Sequence, residues 1–166
     1  VNNKLSIELL NRSQKDQDMR NRAIERDMSQ WDSSVDEQNT AYLETLVETS
    51  GWPTISAVGP EASQAAWLLV QHADHHLDFQ AHCLELMKAL PQGEVSPRNI
   101  AYLEDRVRVA KGEPQLYGTQ FYKEGDDFGP RPIEDEATLE ERRAAMGLET
   151  FEANKQRMIA IYGHLS

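Results

Sequence analysis

Only one cysteine, Cys83, occurs in the 166 residues, so no disulfide can form within the chain and the fold does not rely on an oxidising compartment. Long apolar runs are missing as well. No stretch reaches the length of a membrane span, and the segment from Val1 to Arg20 lacks the core of a signal peptide. The chain starts at Val1 without a methionine, which leaves room for residues upstream. Basic residues are few beside acidic ones, 17 against 28, giving a formal net charge of −11. Such a field repels phosphate backbones, so neither nucleic acid nor an anionic membrane is an expected partner, while a basic protein or a cationic small molecule remains compatible. A cytoplasmic location is the expectation. There is no Gly-rich phosphate cradle, no Gly-x-Ser-x-Gly elbow, no paired cysteines for zinc and no internal repeat. Nucleotide-driven chemistry and elbow-type nucleophiles are therefore not expected, and no bound cofactor is required.

What is present is helical periodicity. The reading is a mainly α protein: one domain over residues 1–166, a bundle of about six to seven helices with one short extended loop or hairpin near 115–133. The last helix, 149–162, is a candidate peripheral appendage. Pro60 to Asp74 is the most apolar piece and reads as the central helix, opened by Pro60 in its first turn. Ala62, Ala65, Ala66, Leu69 and Ala73 form its main stripe, and Trp67, Leu68 and Val70 cover much of the rest, so other helices should surround it. His72 falls on that stripe, roughly 60° from Leu69.

Other helices carry the same anomaly, a polar residue inside an apolar stripe. From Lys4 to Met28, Asp16 and Arg20 share a face with Leu9 and Ala23. Two readings fit the pair, a surface i,i+4 contact or a charge pair turned to the core. Ser34 and Glu37 read as a capping box opening a helix that Gly51 closes, and Asp36 and Asn39 lie beside Tyr42 and Leu43. Gly51-Trp52-Pro53-Thr54 is a rigid turn, with Trp52 as a core plug. A helix from about Asp78 to Leu90 places Gln80 beside Leu84, with Cys83 as a small buried hydrophobe. Ser96-Pro97 and Gly112 bracket a helix whose arc contains Arg106. That arginine either snorkels to water or meets an anion. Beyond it, Gln115 to Tyr122 has strand-like composition, Asp135 caps a short charged helix ending at Gly147, and Glu140 to Arg143 read as a solvated face.

The joint occurrence of Asp16-Gln17 with Arg20, Gly51-Trp52-Pro53-Thr54, Gln71-His72-Ala73-Asp74, Asp105-Arg106 and Tyr117-Gly118-Thr119-Gln120 resembles a family of bacterial proteins of unassigned function. The likeness runs from about Asp16 to Leu148. It implies a mostly helical domain whose marked positions include Asp16, Arg20, His72, Asp105, Arg106, Tyr117 and Gln120, and it implies no reaction.

Polar groups on several helices must meet each other or a ligand. One outcome is a structural hydrogen-bond network; the other is a site. A metal is not expected: His72 and His76 are spaced i,i+4, but no diagnostic Glu accompanies them, and Asp16 or Asp36 would have to complete the set. General acid–base work suits these residues best. His72 would move the proton, Asp16 would orient it, and Arg106 would hold negative charge. Arg20, Asp36, Asn39, Gln80, Asp105, Gln115, Tyr117, Thr119 and Gln120 would bind a small polar, anionic molecule. The chain could also self-associate. The alternative is an acidic binding or immunity-type protein that masks a basic partner.

Overall fold

A computed structural model describes residues 2–125 and 127–163. Among them lie eight α-helices: α1 (Asn3–Glu25), α2 (Ser33–Ser50), α3 (Ile55–Val58), α4 (Pro60–Gln71), α5 (Leu77–Lys88), α6 (Pro97–Ala110), α7 (Leu139–Ala145) and α8 (Phe151–Tyr162). One antiparallel hairpin joins β1 (Phe121–Glu124) to β2 (Asp127–Pro130), with Tyr122 opposite Gly129. The fold is mainly α, as the periodicity predicts, and the hairpin falls within the 115–133 region expected to hold an extended loop or hairpin, beginning at the end of the strand-like stretch. By backbone contacts the chain forms two compact units, Val1–Ser96 and Pro97–Ser166. No helix among the described residues is long and apolar enough to cross a membrane.

In the first unit α4 is central, touching α1, α2, α3 and α5. Ala62, Ala65 and Ala66 are all buried, and their small side chains let neighbouring backbones come close. Leu9, Met19, Leu43, Leu69, Val70 and Met87 complete the core with Trp52 as its plug, each large side chain contributing about 2 kcal/mol by leaving water. Gly59 links α3 to α4 at φ 87, a left-handed conformation that a glycine adopts without strain.

Three boundaries differ from expectation. The central helix ends at Gln71, not Asp74, because the Gln80 carboxamide donates to the carbonyls of Val70 (3.1 Å) and Gln71 (3.3 Å) and so satisfies a helix end. His72 is the residue after that end (φ −95, ψ 6) and sits in a turn rather than on a helical stripe. The second helix is capped by Asp32, whose carboxylate accepts from Ser34 N–H at 3.0 Å, so Ser34 is not the cap. The first helix stops at Glu25, since Asp27 starts a 3-10 turn over Met28–Gln30.

In the second unit, α6 begins at Pro97 as read. The predicted helix after Asp135 is split. Asp135 is left-handed (φ 45), a 3-10 turn follows over Glu136–Thr138, and the α-helix starts only at Leu139. The predicted solvated face holds for Glu140 and Glu141, which are exposed, and is corrected for its two arginines. Arg143 is 1% exposed, donating to the carbonyls of Glu149 (2.8 Å) and Tyr117, while Arg142 donates to the carbonyl of Leu116 at 2.8 Å. Carbonyls of neighbouring loops accept from both guanidinium groups, although Arg143 Nη2 has no partner among the described residues.

Candidate functional site

Asp16 is fully buried on α1. A carboxylate removed from water must be paired and hydrogen-bonded, and three side chains do this. His72 Nδ1 lies 3.0 and 2.9 Å from its two oxygens, Gln17 Nε2 donates at 2.8 Å and Arg20 Nε donates at 3.1 Å. Arg20 also reaches α2, donating from Nη2 to Asp36 at 2.6 Å, and its guanidinium lies 4.6 Å from the Trp31 ring centre. The result is a compact set, Asp16, Arg20, Asp36 and His72, drawn from α1, α2 and the turn that ends α4. The i,i+4 pair on α1 is thus the core-facing version of the two readings.

The electrostatics separate the two carboxylates. Burial pushes Asp16 up, but hydrogen bonding and charge from His72, helped by Gln17 and Arg20, outweigh it and hold the group below its ordinary value of 3.8. Asp36 moves the other way: burial raises it, the negative charge of Asp16 adds to that, and Arg20 offsets only part. With Nδ1 facing an ionised carboxylate, the imidazole carries its proton on Nδ1 and presents Nε2 as the basic nitrogen. The His72 side chain keeps 15% of its surface exposed, so the ring is not sealed in.

One oxygen or nitrogen from each of Asp16, Asp36 and His72 lies within 4.8 Å of the others, close enough to share a cation. The Arg20 guanidinium already bridges both carboxylates, supplying positive charge where an ion would have to sit. His76 does not join them. Its Nε2 meets Glu44 at 3.0 Å and its Nδ1 accepts from Phe79 N–H, so the i,i+4 histidine pair does not close on a common point.

The remaining candidates have other surroundings. Asn39, one turn beyond Asp36, accepts from Arg12 Nη1 at 3.3 Å. Gln80 is fully buried and holds the end of α4, also donating to Asp74 at 3.2 Å. In the second unit, Asp105 is the anchor of the 115–120 loop. Its carboxylate accepts from the N–H groups of Leu116 (2.7 Å), Tyr117 (3.0 Å) and Thr119 (2.9 Å) and from the Thr119 hydroxyl (2.9 Å). Burial raises its pKa, while those donors pull it back. Gln115, fully buried, ties the same loop by donating to the carbonyls of Gln120 (3.0 Å) and Arg131 (2.8 Å). Arg106 donates to Gln120 Oε1 at 3.3 Å, and Gln120 in turn donates to Thr119. Asp105, Gln115 and Thr119 thus shape a loop.

Periodicity did not single out Arg12, Trp31, Arg143 or Asn154. Asn154 is fully buried and donates to the Gly118 carbonyl at 3.2 Å. A signal for Arg143 was available, since it stands four residues after the buried Leu139 on one helical face. Trp31 lies in a connector, where periodicity carries no information.

The chain belongs to a family of unknown function, DUF6624, whose pattern matches residues 4–165. No curated protein and no solved structure matches the chain significantly.

Proposed function

We propose that the first unit carries a general acid–base site acting on a small polar molecule without a bound cofactor. In this reading His72 transfers the proton through Nε2. Asp16 is a positioning residue that fixes the tautomer and stabilises the imidazolium, and Asp36 is the carboxyl whose raised proton affinity suits an acid. The single observation that carries the reading is the bond from His72 Nδ1 to a fully buried carboxylate, at 3.0 and 2.9 Å to its two oxygens. The Arg20 guanidinium is engaged by both Asp16 and Asp36. A cytoplasmic setting accords with Cys83 as a buried free thiol.

Two measurements test it. Imidazole 15N shifts of His72 at pH 8 should report a protonated Nδ1 and a bare Nε2; the opposite tautomer ends the reading. Turnover of a mixture of small polar metabolites, followed by mass spectrometry, should fall by about 100-fold or more in His72→Gln, the scale of a lost acid–base group. A folded His72→Gln protein with undiminished turnover would leave the network a purely structural role.

A further inference from the structure

A groove of about 420 Å³ runs between α1 and α2, lined among others by Glu8, Asn11, Arg12, Lys15, Gln38 and Asn39. Its floor holds an amide that the protein does not satisfy. Asn39 is 5% exposed, and its Nδ2 has no hydrogen-bond partner among the described residues. The orientation of that amide is set by Arg12, which donates from Nη1 to Oδ1 at 3.3 Å. Turning the amide over would place its hydrogens against the guanidinium and leave the oxygen unpartnered, which is worse. A buried donor without an acceptor is costly, so the floor is suited to receive an oxygen.

The charge around the floor selects the kind of oxygen. Arg12 pairs with Glu8, Nε lying 2.7 Å from Oε1, and its guanidinium lies 4.0 Å from the Tyr42 ring centre, so the charges of this pair cancel, although that Nε makes no hydrogen bond among the described residues. Of the charged lining residues Glu8, Arg12 and Lys15, one is negative and two are positive, leaving one positive charge at Lys15. In a chain of net charge −11 a cavity with a positive remainder is out of keeping with its surroundings. One net positive charge, with Asn39 Nδ2 and Arg12 Nε as two buried donors lacking a hydrogen-bond partner among the described residues, matches the two oxygens of a single carboxylate better than a dianionic phosphate.

We propose that this groove binds a small molecule bearing one carboxylate, with one oxygen on Asn39 Nδ2 and its charge answered by Lys15. The site is separate from the His72 chemistry, although Asn39 and Asp36 are one turn apart on α2, about 5 Å along the axis. Nδ2 is closed to solvent in the free protein, so entry of the oxygen requires the side chains at the rim to shift.

Side-chain amide NMR of the full chain tests this directly. The Asn39 signals, identified by their loss in Asn39→Asp, would be followed while acetate, succinate and inorganic phosphate are added at constant ionic strength. Acetate and succinate should shift those signals saturably. Lys15→Gln, an exposed substitution that leaves the core alone, should weaken the binding roughly two- to fivefold, as loss of a surface charge pair does. No saturable shift, a shift indifferent to Lys15→Gln, or a preference for phosphate over both carboxylates would each overturn the proposal. None of these results bears on the tautomer of His72, so the two readings fail separately.

Discussion

Asp16 has no contact with water and still stays more acidic than an ordinary aspartate, because a histidine, a glutamine and an arginine all meet its oxygens. That arrangement sets a sign. With the folded pKa below the ordinary 3.8, the stability contributed by ionised Asp16 is complete above that value. It is lost as pH falls through the lower folded value. Asp36, raised when folded, behaves oppositely: its burial penalty is present at neutral pH and is relieved as pH falls through its folded value. Asp16→Asn is therefore expected to cost about 3 kcal/mol near pH 7, the low end for breaking a buried ion pair since Arg20 keeps Asp36. The same variant should flatten the acid side of the stability profile, measured by urea unfolding from about pH 5 down to about pH 2. Cys83 gives a second residue-scale expectation. Burial pushes its thiol up to about 12, so thiolate-directed alkylation at pH 8 should be negligible in the native protein and rapid after unfolding. Asp16, Arg20 and Asp36 were readable in sequence as polar intrusions on apolar stripes; His72 was singled out on the same ground, although it lies in the turn after α4. Their being bonded to one another was not, since periodicity gives the face of a helix and not its partner.

At the scale of elements, the 115–120 loop is held in shape by α6 and by side chains from α7 and α8. Asp105 takes three backbone N–H groups, Arg143 takes the Tyr117 carbonyl and Asn154 takes the Gly118 carbonyl. Asp105→Ala leaves several buried donors unpaired and is expected to cost about 3 kcal/mol or more. Hydrogen exchange should show lost protection at the amides of Leu116, Tyr117 and Thr119. Gly118 sits at φ 66, and a Cβ there would come within 2.8 Å of the Phe151 ring. Gly118→Ala should therefore disturb the same amides through strain and contact together, read by the same experiment. Helices opened by a proline or closed by a glycine were legible to within a few residues, as α6 and the end of α2 show. The end of α4 was not. It is set by Gln80 from another helix, and no local pattern carries that information. Arg142 escaped for a related reason: an arginine among glutamates looks like surface until the carbonyl it answers is in place.

At the scale of the molecule, charge is the property read most directly from composition. A net −11 implies self-repulsion in the folded state. Raising salt from about 0.01 M to about 0.15 M shortens the screening length from about 30 Å to about 8 Å. The melting temperature should rise over that range, and a fall would mean that attractive surface pairs dominate. On the proposed reading, the first unit also joins two duties in one place. Arg20 spans the carboxylates of α1 and α2, and His72 ties the turn after α4 to the same α1 aspartate. The frame and the chemistry therefore share their fasteners. Any lineage that retuned the imidazole by altering its neighbour would loosen three helices at once, so drift in activity is expected to be confined to whatever surrounds Nε2.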